Sequence, residues 1–117
     1  MRAQRRKAEI WGRRAERLAK IALALKGYRI LEHRCRLASG EIDLAVRRGK
    51  VIAAVEVKAR TVHDDEAISA TQWQRIARTL ELYLSRKPEL AGLERRFDRI
   101  DVAPRRWPRH SKDVWRP

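Results

Sequence analysis

Two short strings limit what this chain can fold into: Gly40-Glu41-Ile42-Asp43-Leu44 and Val55-Glu56-Val57-Lys58-Ala59-Arg60. Each sets charged side chains inside an apolar, β-prone run. A buried carboxylate or ammonium costs several kcal/mol unless it is paired or bound to a cation. A fold that keeps both runs as strands must therefore bring Asp43, Glu56 and Lys58 to each other or to a ligand. Such an arrangement serves chemistry better than it serves stability.

The rest of the chain supplies a frame for two such strands. Apolar residues recur at helical spacing over residues 5–26, where Trp11, Ala15, Leu18, Ala22 and Leu25 lie opposite arginines and lysines. Gly27 stands where a C-terminal cap is expected. Residues 28–37 read as a first strand interrupted by Glu32, His33 and Arg34, and Ser39-Gly40 as a turn. Residues 41–46 read as a second strand, Arg48-Gly49 as a hairpin turn and 51–58 as a strongly apolar third strand. Residues 61–66 are a polar loop. A second helix is predicted from about residue 67 to 85, with Trp73, Ile76, Ala77, Leu80 and Leu84 in one stripe and Pro88 beyond its end. Residues 96–102 form a last strand. The order predicts one α/β domain over residues 1–117: a mixed sheet, made of a three-strand meander plus a further strand, flanked by helices. Residues 1–8 and 103–117 read as extended or flexible basic tails. Trp107 and Trp115 lie among Arg105, Arg106, Arg109 and Arg116, where they are able to stack on unpaired bases or pack against the body. Packing is the favoured expectation.

Alternation along a strand puts Glu41 and Asp43 on one face of the second strand, and Glu56 and Lys58 on one face of the third. A hairpin about Arg48-Gly49 brings Asp43 opposite Val55 or Glu56, so the two carboxylates can meet. Divalent cations resolve that repulsion. Mg²⁺ suits one or two carboxylates completed by a main-chain carbonyl, waters and a substrate phosphate. Lys58 is then placed to hold a water or a phosphate oxygen. The competing reading is a structural ion pair between Lys58 and one carboxylate. Glu16 lies beside the apolar stripe of the first helix; as a fourth member it would lean over the sheet edge, whereas on the helix itself it would pair with Arg13 or Lys20. Glu41 has Arg60 and Arg36 as surface partners.

Charge names the partner class. The chain carries 29 Lys and Arg against 15 Asp and Glu, a net charge of +14. A domain this cationic collects on polyanions, with binding that weakens steeply in salt. Nucleic acid leads and an anionic membrane surface is the competitor. The N-terminal run Arg2, Arg5, Arg6, Lys7, Arg13, Arg14 and Arg17 is set against only Glu9 and Glu16, so it serves either phosphate contact or a solvated face. No apolar stretch has the length of a membrane span, and Arg13, Arg14, Arg17 and Lys20 interrupt any signal-peptide core. A cytoplasmic protein is expected. The lone Cys35 fits that compartment and is read as a strand residue without a catalytic role. His33, His63 and His110 have no ligand-spaced partners, which gives no zinc site. His63, Asp64, Asp65 and Glu66 form an acidic patch, read as a solvated loop that caps the second helix.

Taken together, these strings resemble the YraN family of small bacterial proteins, within the restriction-endonuclease-like, PD-(D/E)xK superfamily related to Holliday-junction resolvases. The resemblance runs from Gly12 and Ala15-Glu16 through Gly27-Tyr28-Arg29-Ile30-Leu31, then the two strings above, to Arg96-Phe97-Asp98. It implies Asp43, Glu56 and the main-chain carbonyl of Val57 as metal ligands for Mg²⁺, with Mn²⁺ as a substitute. Lys58 would be the catalytic lysine and Glu16 the helix-borne acid of the resolvase-like branch. It also implies a restriction-endonuclease-like fold, a metal-dependent endonuclease acting on DNA, branched or repair and recombination intermediates included, and a homodimer. Arg13, Arg17, Arg60 and Arg75 are the expected nucleic-acid contacts. RNA as substrate and a protein partner stay open, as does a second reading in which the same fold binds nucleic acid without cutting it. Two positions depart from the pattern. Ile42 stands where proline would, with its side chain pointing away from the metal. Gln72 stands where similar sequences often carry lysine, with Arg75 the nearest substitute.

Overall fold

A computed structural model describes residues 2–60 and 67–117. The elements are α1 (Arg2–Leu25), β1 (Arg29–Leu37), β2 (Gly40–Arg48), β3 (Val51–Ala59), α2 (Ala70–Ser85), a 3₁₀ turn at Pro88–Leu90, β4 (Glu94–Val102) and β5 (Arg109–Ser111). The sheet runs β1-β2-β3-β4-β5. The first three strands form an antiparallel meander, β4 lies parallel to β3, and β5 is antiparallel to β4. The expected mixed α/β sheet flanked by helices is present and is consistent with a restriction-endonuclease-like fold.

The two helices cover opposite faces. Ala15, Ala19 and Leu23 of α1 pack on Leu44, Val46, Ala53, Val55, Ile100 and Val102; the small alanines let the helix approach the strands closely. On the other face Trp73, Ile76, Leu80 and Leu84 of α2 pack on Ile42, Ile52, Ala54 and Phe97. Central β3 is therefore buried on both sides from Ile52 to Glu56, which explains its unbroken apolar run.

Several boundaries differ from the sequence reading. The hairpin turn consists of Gly49 and Lys50, one residue later than expected, since Arg48 still pairs with Val51. Gly49 has φ +60° at the first central position, where a primed turn needs a residue without Cβ. Helix α2 starts at Ala70, because the Ser69 side chain accepts a hydrogen bond from the Gln72 amide at 3.1 Å and caps it there.

Both tails need correction. Residues 2–8 are helical: they contain no glycine or proline and are rich in Ala, Arg, Gln and Lys, so nothing stops the helix short of its start. They are all exposed. At the other end, β5 and Trp115 tie residues 103–117 to the body. The Trp115 ring stacks on Trp73, with centroids 6.2 Å apart, and meets Phe97 edge-on at 5.3 Å. Trp115 thus packs on the body as expected, while Trp107 stays 61% exposed.

Candidate active site

The site forms where the central hairpin opens. Strands β2 and β3 pair from Arg48↔Val51 to Leu44↔Val55. One step further, Asp43 Oδ2 accepts the Val57 N–H at 2.9 Å, so a carboxylate takes the place of a strand carbonyl. Alternation also breaks here: Ile42 packs toward α2 while Leu44 packs toward α1. Asp43 is thus held at the point where the strands part.

Glu56 is 5% exposed, and its carboxyl lies close enough to that of Asp43 for each to shift the other's titration. The Gln72 side-chain amide reaches down from the first turn of α2 and donates to Glu56 Oε2 at 3.1 Å. Burial and then the Asp43 charge push Glu56 up to about 8, against the pull of Lys58. Burial likewise raises Asp43, although the Val57 amide opposes it. Near neutral pH the pair therefore retains a proton. Lys58 lies half-buried two residues beyond Glu56, opposite Asp101 on β4.

A buried and a half-buried carboxyl set against each other form a donor set that suits a hard divalent cation. Among the described residues no group of three or more His, Cys, Asp or Glu converges on one point. Mg²⁺ held here would thus draw on Asp43, Glu56 and the Val57 carbonyl, with water and phosphate completing the shell.

Glu16 sits on the α1 side of the sheet. Its partners are His33, at 2.9 Å, and Arg34, at 3.1 Å, rather than Arg13 or Lys20. Its charge still raises Asp43, so it belongs to the same electrostatic neighbourhood. His33 and Arg34 were not among the candidates; three consecutive polar residues inside a strand were the available signal. Arg13, Arg17 and Arg75 are exposed, and Arg75 shares a cleft with Gln72, Ser69 and Glu41. Arg60 bonds Asp101 at 2.7 Å. Glu41 pairs with Arg36 at 3.3 Å, one of its two expected partners. Cys35 is half-buried against the α2 side of the core. His63, Asp64, Asp65 and Glu66 lie outside the described residues.

Residues 15–103 match the profile described as "Uncharacterised protein family UPF0102". The chain belongs to the UPF0102 family. This is the YraN family that the motif strings resemble. A UPF0102 protein of Parvibaculum lavamentivorans is 50% identical over 108 residues, covering 91% of this chain and 81% of the relative. One from Chelativorans sp. is 48% identical over 116 residues, covering 97% and 94%. Another from Methylobacterium nodulans is 52% identical over 111 residues, covering 92% and 86%. UPF0102 membership thus spans both motif strings, α1 from Ala15 onward and all of α2. No helix among the described residues is long and apolar enough to cross a membrane.

Proposed function

We propose that this UPF0102 protein is a Mg²⁺-dependent nuclease that hydrolyses phosphodiester bonds in DNA, with branched and other repair or recombination intermediates as its substrate class and Mn²⁺ as an alternative cation. One observation carries the reading: a half-buried Asp43 and a buried Glu56 face each other at the mouth of a hairpin, with Lys58 one alternation further on. A structural pair would join Lys58 to a carboxylate and leave no like-charge contact to relieve.

When bound, the cation polarises the scissile phosphate and lowers the pKa of a bound water. The chain's own residues do the rest. The Val57 amide fixes Asp43, and Gln72 fixes Glu56, so both side chains are held in place before binding, which then displaces the shared proton. Lys58 orients the attacking water and steadies charge on the phosphate oxygens. The basic surface holds the backbone with little sequence preference. This reading places the protein in the cytoplasm, where its DNA lies.

Purified protein incubated with labelled four-way, flapped, single-stranded and linear duplex DNA, with Mg²⁺, Mn²⁺ or EDTA, tests the proposal. Divalent-dependent cutting that folded Asp43→Ala and Lys58→Ala variants both lose is the expected result. Binding without cutting in any metal, unchanged in both variants, would leave a nucleic-acid-binding module instead. Parallel RNA substrates, and sizing of the complex, decide between DNA and RNA and between monomer and dimer.

A further inference from the structure

Outside the carboxylate pair, the described residues form a second built feature on the α1 side. A cleft of 280 Å³ is lined by Arg13, Glu16, Arg17, Lys20, His33 and Arg34. Four of these are permanent cations. The single acid, Glu16, sits 17% exposed at its base and is bonded by Arg34 and His33. Arg34 adopts φ +54°, a left-handed conformation that a long side chain enters at a cost. A bulge between Ile30 and Glu32 in β1 precedes it. The edge strand is therefore bent so that its guanidinium is carried onto Glu16 over the cleft.

A basic stripe leads into this cleft. Arg2, Arg6, Arg13, Arg17 and Lys20 fall at helical spacing on one face of α1, over about 27 Å at 1.5 Å per residue. Among the described residues, none of the five makes an ion pair. Residues 2–10 are all exposed: Arg2 and Arg6 continue the stripe there, and Arg5 and Lys7 add positive charge on the flanking faces. An uncovered helical arm of that charge calls for an anionic partner. The cleft at its inner end fits a phosphodiester group better than a flat lipid surface, because Arg13, Arg17, Lys20 and the edge of the Arg34 guanidinium turned away from Glu16 line one small space.

We infer that α1 and Arg34 form a phosphate-binding rail for duplex nucleic acid, beside the Asp43–Glu56 pair and using none of its carboxylates, and that Glu16 is its positioning residue, holding Arg34 in the geometry that grips a phosphate. The inference rests on the nucleic-acid reading above, but not on the metal site. It makes an unusual sign prediction for Glu16. If that residue were only a negative charge near the rail, its removal would tighten binding to a polyanion. If it positions Arg34, its removal weakens binding.

The test is fluorescence anisotropy of a labelled duplex in EDTA across a salt series, using the full chain and variants whose melting transitions confirm folding. Arg34→Ala and Glu16→Ala are each expected to weaken binding about tenfold, and Arg34→Ala to reduce the salt slope by about 1. Glu16→Gln, which keeps an acceptor for Arg34, retains most of the affinity. Tighter or unchanged binding by Glu16→Ala, or an unchanged slope in Arg34→Ala, overturns the inference. So does binding to anionic phospholipid vesicles that loses the same residues' contribution while duplex binding does not. Cutting in Mg²⁺, and its loss in Asp43→Asn, reads the nuclease proposal alone, so the two fail independently.

Discussion

Placing Glu56 beside Asp43 costs the metal-free fold, and the cost has a definite pH dependence. Glu56 rises from 4.5 to about 8, through burial first and the Asp43 charge second. Between those values the folded state holds a proton that the unfolded chain releases, so stability falls as pH climbs from about 4.5 toward 8. Glu56→Gln removes the ionising group while preserving its shape and its contact with Gln72. It should raise unfolding stability by about 2 kcal/mol at pH 8 and by almost nothing at pH 4. Denaturant melts at the two pH values check this, and a variant less stable than wild type at pH 8 would contradict the like-charge contact. The same substitution should abolish divalent-dependent cutting, separating stability from activity at one residue. Gln72→Lys provides a second probe. An ammonium in place of the Gln72 amide would favour ionised Glu56 and should lower its titration by about 1–2 pH units, as followed by carboxyl NMR. Asp43, Glu56 and Lys58 were legible in the sequence because charge inside a β-prone run has few structural uses. The Gln72 contact was not legible, since it depends on how α2 docks over β3. The left-handed φ of Arg34 was equally hidden, because arginine carries no signal for that conformation.

Elements show the same division. Helical and strand periodicity located α1, α2 and four of the five strands, and Ser69 explains why α2 starts at Ala70 and not near residue 67. In the last fifteen residues the packing of Trp115 was legible, but strand β5 was not. Their prolines and arginines do not reveal what secures them, which is Asp98, 12 residues before His110 and fully buried. Its carboxylate accepts from Arg96 Nη2 and from the Asp113 amide at 2.8 and 3.0 Å. Lys26 donates to His110 Nδ1 at 3.3 Å, which leaves the Nε2–H of that ring to donate to Asp98 at 2.8 Å. Burial alone would raise Asp98, but the hydrogen bonds from His110, Arg96 and Asp113 outweigh it and bring the group down to about 2. A depressed carboxylate stabilises the fold above its unfolded value near 3.8, and that contribution disappears as pH falls through about 2. Asp98→Asn leaves Arg96 half-buried without its anion and should cost about 3 kcal/mol at pH 7. It should also flatten the acid limb of the stability curve. Limited proteolysis offers a direct readout: the variant should be trimmed at its C-terminus under conditions where wild type is not. Trp115→Ala, which empties the stack against Trp73 and Phe97, should give the same trimming with a loss of about 2–3 kcal/mol and no change in the acid limb.

At the scale of the whole molecule the excess of positive charge acts in two opposite directions. Net charge of +14 on 117 residues repels itself in the compact state, and salt screens that repulsion over a Debye length of about 8–10 Å. Raising salt from low to physiological strength should therefore increase the thermal midpoint of the free protein. The same ions compete with the protein for phosphates, so affinity for duplex DNA should fall over that range, by about tenfold or more if several phosphates are neutralised. A protein whose cations were mostly consumed by internal ion pairs would show the reverse in the first measurement, since salt would weaken those pairs. The structure places such pairs mainly in and around the sheet, at Arg60–Asp101, Arg95–Glu81, Arg96–Asp98 and Arg99–Asp101. The cations of α1 stand apart from them. The opposed salt responses should consequently map to different regions: replacing Arg2, Arg6 and Arg13 together by Gln should reduce the stabilisation by salt and the salt dependence of DNA binding in the same protein. Loss of both responses together would identify α1 as the source of the molecule's uncompensated field, and retention of both would move that source to the sheet.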